Sequence, residues 1–176
     1  MQDKYAEQNL KLRQMQIKYS SMVYTLPDMY QEKNEAYTKA FNAGPNFVVG
    51  YDTFIYRTHR LEGKIIIGSN VTIGSHCTIE YSGILVIEDN AVISDGVKIF
   101  SHDHGTYEYT HNRGGAIPRK TVICNNSWIG AGSIILAGIS VGKFSVVGAG
   151  SVVTHDVPDE CIYAGNPAKY IADNKL

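Results

Sequence analysis

A chain of 176 residues can build one well-cored domain with a modest appendage and is short for two independent ones. Its 16 basic and 17 acidic residues leave a formal net charge of -1, which gives no broad electrostatic footprint for nucleic acid or an anionic membrane. The opening Met1-Gln2-Asp3-Lys4 is not followed by an apolar run, and no apolar stretch approaches the roughly 18 residues of a membrane span, so the expectation is a cytoplasmic protein.

Residues 3–43 are rich in Lys, Glu, Gln, Tyr, Met and Ala and are broken by Pro27, which predicts two helices. Asp28 is placed to cap the second, from Met29 to Ala43, and Gly44-Pro45 to stop it. The apolar residues here are scattered, so residues 1–45 form a helical segment that must pack on the remainder of the protein or on a neighbouring subunit. Cys77, Cys124 and Cys161 are odd in number and form no CxxC pair; they read as buried, reduced thiols.

From about residue 65 the composition turns to Ile, Val, Gly, Ser and Asn, and a six-residue period appears. Every sixth position gives Ile67, Ile73 and Ile79, then, after an insertion around Ser82-Gly83, Ile87, Ile93 and Ile99. A second interruption follows, and the register resumes as Ile123, Ile129, Ile135, Val141, Val147 and Val153. The next position is often glycine (Gly68, Gly74, Gly130, Gly142, Gly148), and the fifth is small or apolar (Val71, Cys77, Ala91, Val97, Ser127, Ser133, Ser145, Ser151).

A chain that turns every six residues puts the same position at the inside of every corner. Three hexads close a triangular coil, and stacked coils align the Ile and Val residues into interior ladders. Glycine after the ladder position is expected to supply turn angles closed to branched residues. The fold class is therefore an all-β solenoid, a parallel β-helix spanning residues 46–176, with a loop at 100–118 and a tail at 159–176. An ordinary sandwich or barrel fits poorly, since hairpin signals such as Asn-Gly are missing.

The strings ICNNSWIGAGS at 123–133, VVGAGSVVTHDVP at 146–158 and AGNPAK at 164–169 carry a resemblance. Together they resemble the hexapeptide-repeat acyltransferases, in the branch that includes galactoside, maltose and polysaccharide O-acetyltransferases. The resemblance covers roughly residues 65–172. It implies left-handed coils, a homotrimer, acetyl-CoA as cosubstrate, a sugar-like acceptor and no metal.

The polar loop at 100–118 has no hexad register, and interruptions of a regular solenoid are where function concentrates. Transfer of an acetyl group requires a base for the acceptor's proton, a task that suits imidazole near neutral pH. His102 and His104 are the candidates. In the resembling enzymes the base follows a hexad like Ile87-Glu88-Asp89-Asn90 at a fixed distance, which lands on His104; His102 is the alternative base or an orienting group. Asp103 reads as a turn or cap residue. His59, His76, His111 and His155 read as structural or surface residues, although His76 could approach the site across the stack.

By resemblance, the coenzyme lies along the solenoid flank between subunits. Ala131 and Ala149, each within a Gly-Ala-Gly string, would meet its pantetheine arm, Thr154 its distal part, and Lys169 would add positive charge. Trp128 takes an outward position in its hexad and is expected beside the loop, as an amphipathic wall for cofactor or acceptor. Three other readings remain: an N-acetyltransferase acting on an amino sugar, a zinc-dependent lyase of the gamma-carbonic-anhydrase type, and a solenoid scaffold without catalysis.

Overall fold

A computed structural model describes residues 35–58, 61–104 and 115–175. The predicted helix before Pro27 lies outside them. Of the second helix, residues 35–41 are described and helical. It stops two residues earlier than expected, because Asn42 takes the left-handed conformation (φ 49°) and the Ala43 amide donates to the Thr38 carbonyl at 2.9 Å. That is a Schellman ending with asparagine, rather than Gly44, in the left-handed position. Tyr37 and Phe41 are buried, and Phe41 meets Tyr81 edge-on with ring centroids 6.2 Å apart. The described part of the helix thus packs on the solenoid.

Among the described residues eighteen strands follow. The first coil comprises β1 (Val48–Val49), β2 (Phe54–Tyr56) and β3 (Lys64–Ile67), so the solenoid begins before the compositional change near residue 65. The second comprises β4 (Thr72–Ile73), β5 (Thr78–Glu80) and β6 (Ile84–Ile87). The third runs from β7 (Val92–Ile93) and β8 (Lys98–Ile99), leaves the stack through β9 (His102–Asp103) and β10 (Ile117–Pro118), and re-enters it at β11 (Lys120–Ile123). A fourth has β12 (Trp128–Ile129), β13 (Ile134–Ile135) and β14 (Ser140–Val141), and a fifth has β15 (Val146–Val147) and β16 (Val152–Val153). An antiparallel pair, β17 (Cys161–Gly165) and β18 (Ala168–Asp173), finishes the chain, with β17 laid parallel to β15.

Stacking these coils makes three parallel sheets. The first face has the order β1-β4-β7-β12-β15-β17-β18, the second β2-β5-β8-β13-β16, and the third β3-β6-β11-β14. The result is a left-handed parallel β-helix. Register follows the hexads: Ile73 lies on Ile93, Ile93 on Ile129 and Ile129 on Val147. Ile79, Ile99, Ile135 and Val153 form the second ladder, and Ile67, Ile87, Ile123 and Val141 the third. All are buried, as are the small fifth-position residues from Val71 to Ser151.

The glycines after the ladder positions act otherwise than expected. None of Gly68, Gly74, Gly130, Gly142 and Gly148 has positive φ. They are small because the next coil is in the way: a Cβ on Gly130 would lie 2.6 Å from the Ala149 nitrogen, and one on Gly142 would lie 2.5 Å from the Asp159 nitrogen. Left-handed angles fall instead on Asn46, Asn70, Asn90 and Asn126 at one corner, and on Asp52, His76, Gly96, Gly132 and Gly150 at another. The Asn46 amide donates to Asn70 at 2.7 Å and the Asn70 amide to Asn90 at 3.0 Å, so that corner carries a polar ladder. Of the three cysteines only Cys77 is buried; Cys124 and Cys161 are half-buried. Among the described residues no helix is long and apolar enough to cross a membrane.

Candidate active site

The hexad rule breaks in each of the first three coils at one corner, where the second face passes into the third. In the second coil Ile79 and Ile87 are eight positions apart instead of six, and the added length carries Glu80, Tyr81, Ser82 and Gly83 around the bend. Glu80 is fully buried. A carboxylate in that position needs donors, and it has several. Ser82 donates its amide to Oε1 in a short contact, and Ser101 donates its amide at 3.0 Å and its hydroxyl at 3.4 Å to Oε2. His102 Nδ1 lies 2.8 Å from the same Oε2. The Nδ1–H is not aimed along that line, so the contact is a close polar approach rather than a straight hydrogen bond.

Directly above, the third coil leaves the stack after Phe100. The β9–β10 stem sets His102 opposite Pro118 and Asp103 opposite Ile117. Asp103 is tied across the stem, where Arg119 Nε donates to its Oδ2 at 2.9 Å. The stem is closed where the Arg119 amide donates to the Ser101 carbonyl at 2.7 Å, and the Thr121 hydroxyl bonds the Phe100 carbonyl at 2.7 Å. His104 emerges from β9 exposed, its ring 5.2 Å from that of His102 at an interplanar angle of 78°. The His102 side chain is 12% exposed. His111 and most of the loop, like His59, lie outside the described residues.

Electrostatics around Glu80 are felt by its neighbours. The Tyr56 hydroxyl, on the strand below, is pushed up from 10.0 by partial burial and then by the Glu80 charge. Tyr81 is raised by burial, with Arg57 opposing and Glu80 adding. Chemically, the corner holds two imidazoles edge to face, one backed by a buried carboxylate and the other open to solvent. A carboxylate at Nδ1 leaves Nε2 facing away from it as a potential proton acceptor.

The other candidates divide by corner. Ala131 and Ala149 are stacked and exposed at the bend between the first and second faces, with the Gly150 amide donating to the Ala131 carbonyl at 2.8 Å. Gly132 and Gly150 follow them at φ +69°, and a Cβ on either would meet nothing within 4 Å. Lys169 is exposed on β18 opposite Ala164, above this same bend, where the Gly165 amide donates to Ser151 Oγ at 3.0 Å. Thr154 lies instead at the end of the second face, on the side of the histidines, with its hydroxyl 2.9 Å from His155 Nδ1. The second face separates the two groups within one chain.

Trp128 is 52% exposed on the first face and donates from Nε1 to Ser94 Oγ at 2.9 Å. It is not beside the loop, which lies two corners away, because outward positions on β12 look off a different side of the prism. His76 sits at the bend between first and second faces against Tyr51 and Asp52, so it does not join His102 and His104. Sequence reasoning missed Glu80 and Arg119. The signal for Glu80 was present: an acidic residue directly after a ladder isoleucine, at the start of a register break.

The fold and the broken corner define a hexapeptide-repeat solenoid. Residues 120–155 match the family model described as bacterial transferase hexapeptide (six repeats), and residues 64–101 that of the hexapeptide repeat of succinyl-transferase. Both stretches of the chain are thus similar to hexapeptide-repeat transferases. It is 33% identical over 110 residues to the galactoside O-acetyltransferase of Escherichia coli (62% of this chain, 54% of that protein) and 34% identical over 106 residues to that of Lactococcus lactis (57% and 51%). The match thus spans about half the length of these curated relatives. Among solved structures, a galactoside acetyltransferase in complex with coenzyme A superimposes with a TM-score of 0.80 at 23% identity, covering 97% of this chain and 82% of that one. A maltose O-acetyltransferase from Clostridium difficile gives 0.80 at 22% identity, covering 98% and 89%.

Proposed function

We propose that the chain is an acetyltransferase that moves an acetyl group from acetyl-CoA to a hydroxyl of a sugar or polysaccharide precursor. The observation that carries the reading is the exposed His104 packed on His102 where the solenoid opens. Support for the chemistry comes from the O-acetyltransferase names of the relatives and from coenzyme A in a structural neighbour.

His104 accepts the proton of the acceptor hydroxyl as its oxygen attacks the thioester carbonyl. The carbon–sulfur bond then breaks, an acetyl ester remains on the acceptor, and the proton passes from His104 to the departing sulfur. His102 supports the ring of His104. Backbone at Ala131 and Ala149 is open enough to admit the pantetheine arm, since Gly132 and Gly150 leave free space beside it. Thr154 and Lys169 would serve the distal part, and Trp128 a wall.

Because the histidine corner and the Gly-Ala-Gly corner lie on opposite edges of one face, a complete site needs two subunits. A homotrimer, with each coenzyme between neighbours, meets that requirement. The test is acceptor-dependent release of CoA from acetyl-CoA, with a panel of sugars, nucleotide sugars and amino sugars. Release that disappears in His104→Ala supports the assignment. Release lost in His102→Ala but retained in His104→Ala moves the base by two residues, and no release with any acceptor sinks the reading.

A further inference from the structure

The buried acid at the broken corner has no part in the reaction just described, yet the fold invests in it. Glu80 is fully buried, and nearly every donor around it comes from the short segments that shape the site: Ser82 from its own bend, Ser101 and His102 from the bend above. Burying a carboxylate is costly unless hydrogen bonds satisfy its oxygens, so the donors around Glu80 hold it in place. Ser101 also ties the two coils together, since its hydroxyl accepts the Gly83 amide at 2.9 Å. His102 is therefore pinned between a carboxylate behind its Nδ1 and the His104 ring packed 5.2 Å from its own.

We propose that Glu80 is a positioning residue of the acyl-transfer site, acting through His102: it holds the His102 ring in the Nδ1–H form and thereby fixes the place of His104. The idea rests on the acetyltransferase reading for its kinetic consequence but not for its structural one. With Nδ1–H beside the carboxylate, the His102 ring cannot turn over without replacing that nitrogen by the Cδ2–H edge and losing the polar contact, so rotation of the ring is opposed. A ring that cannot rotate is a fixed wall for its neighbour, and an exposed base gains from a fixed wall because misplacement slows proton transfer more than it weakens binding.

The first measurement is nitrogen NMR of the native chain with ¹⁵N-labelled histidine at mildly alkaline pH, the His102 signals being identified by their loss in His102→Phe. A protonated Nδ1 and bare Nε2 on His102 are expected; the opposite tautomer overturns the proposal. The second is kinetic, on Glu80→Gln, which keeps the shape and removes the charge and one acceptor. A fall of about 10- to 100-fold in kcat, with KM within about threefold, is expected of a positioning group. A folded Glu80→Gln with kcat within about twofold of the native chain also overturns it. His102→Phe keeps an aromatic ring against His104 and should lose kcat like Glu80→Gln, with no further loss when the two are combined. If the native chain transfers no acetyl group at all, the function fails while the tautomer still decides the role of Glu80.

Discussion

At Gly83 a single hydrogen in place of a side chain lets two coils touch. A Cβ there would lie 2.1 Å from the Ser101 carbonyl oxygen and 2.2 Å from that of Arg119, both backbone atoms that cannot step aside cheaply. Gly83→Ala should cost about 1–3 kcal/mol or more, as overpacked cores do, seen as a lowered midpoint in urea. Cys77 makes a different point. Its thiol is raised from 9.0 chiefly by burial, with Asp95 adding a little and hydrogen bonds opposing. A group raised on folding favours the native state below its unfolded value and loses that contribution as pH climbs through the folded one. Thermal stability of the native chain should therefore decline above about pH 9, and less steeply in Cys77→Ala; equal slopes in the two would refute the attribution.

Among the elements, the ladders carry the energy and the corners the register. Ile129 is buried between Ile93 and Val147, so Ile129→Ala should cost about 2–5 kcal/mol, measured by denaturant unfolding. Asn70 holds φ 56° and links Asn46 to Asn90, so Asn70→Ala, which loses both amide bonds and pays for a left-handed Cβ, should cost about 1–2 kcal/mol. The ladders were legible because one physical demand, an apolar side chain at each inside corner, repeats every six residues within the blocks Ile67 to Ile79, Ile87 to Ile99 and Ile123 to Val153. The corner glycines were half legible: their size was seen, but its reason lies in the coil above, at another sequence position. Glu80 escaped because its partners, Ser101 and His102, are about twenty residues distant and meet it only once the coils stack. The first coil falls inside the expected bound at residue 46, although its own hexads were not legible, since it has long corners and little hexad rhythm.

Over the whole molecule, each coil touches only the coils next to it, and the three outer faces remain for other work. Phe54, Ile66, Ile84, Val92 and Trp128 are exposed apolar side chains spread over those faces. On the trimer reading they meet neighbours, and light scattering should return about three times the 19.4 kDa of one chain; a monomer at micromolar concentration would remove the second half of the proposed site. The loop at 100–118 leaves and rejoins the stack through one gate, where the Ser101 carbonyl meets the Arg119 amide and Arg119 in turn receives the Ile84 amide at 2.9 Å. Closure of the two ends at the gate makes the register of the ladders independent of the loop's length. Residues added or removed beyond His104 should therefore cost little in folding free energy, while His102 and His104 stay tied to the corner.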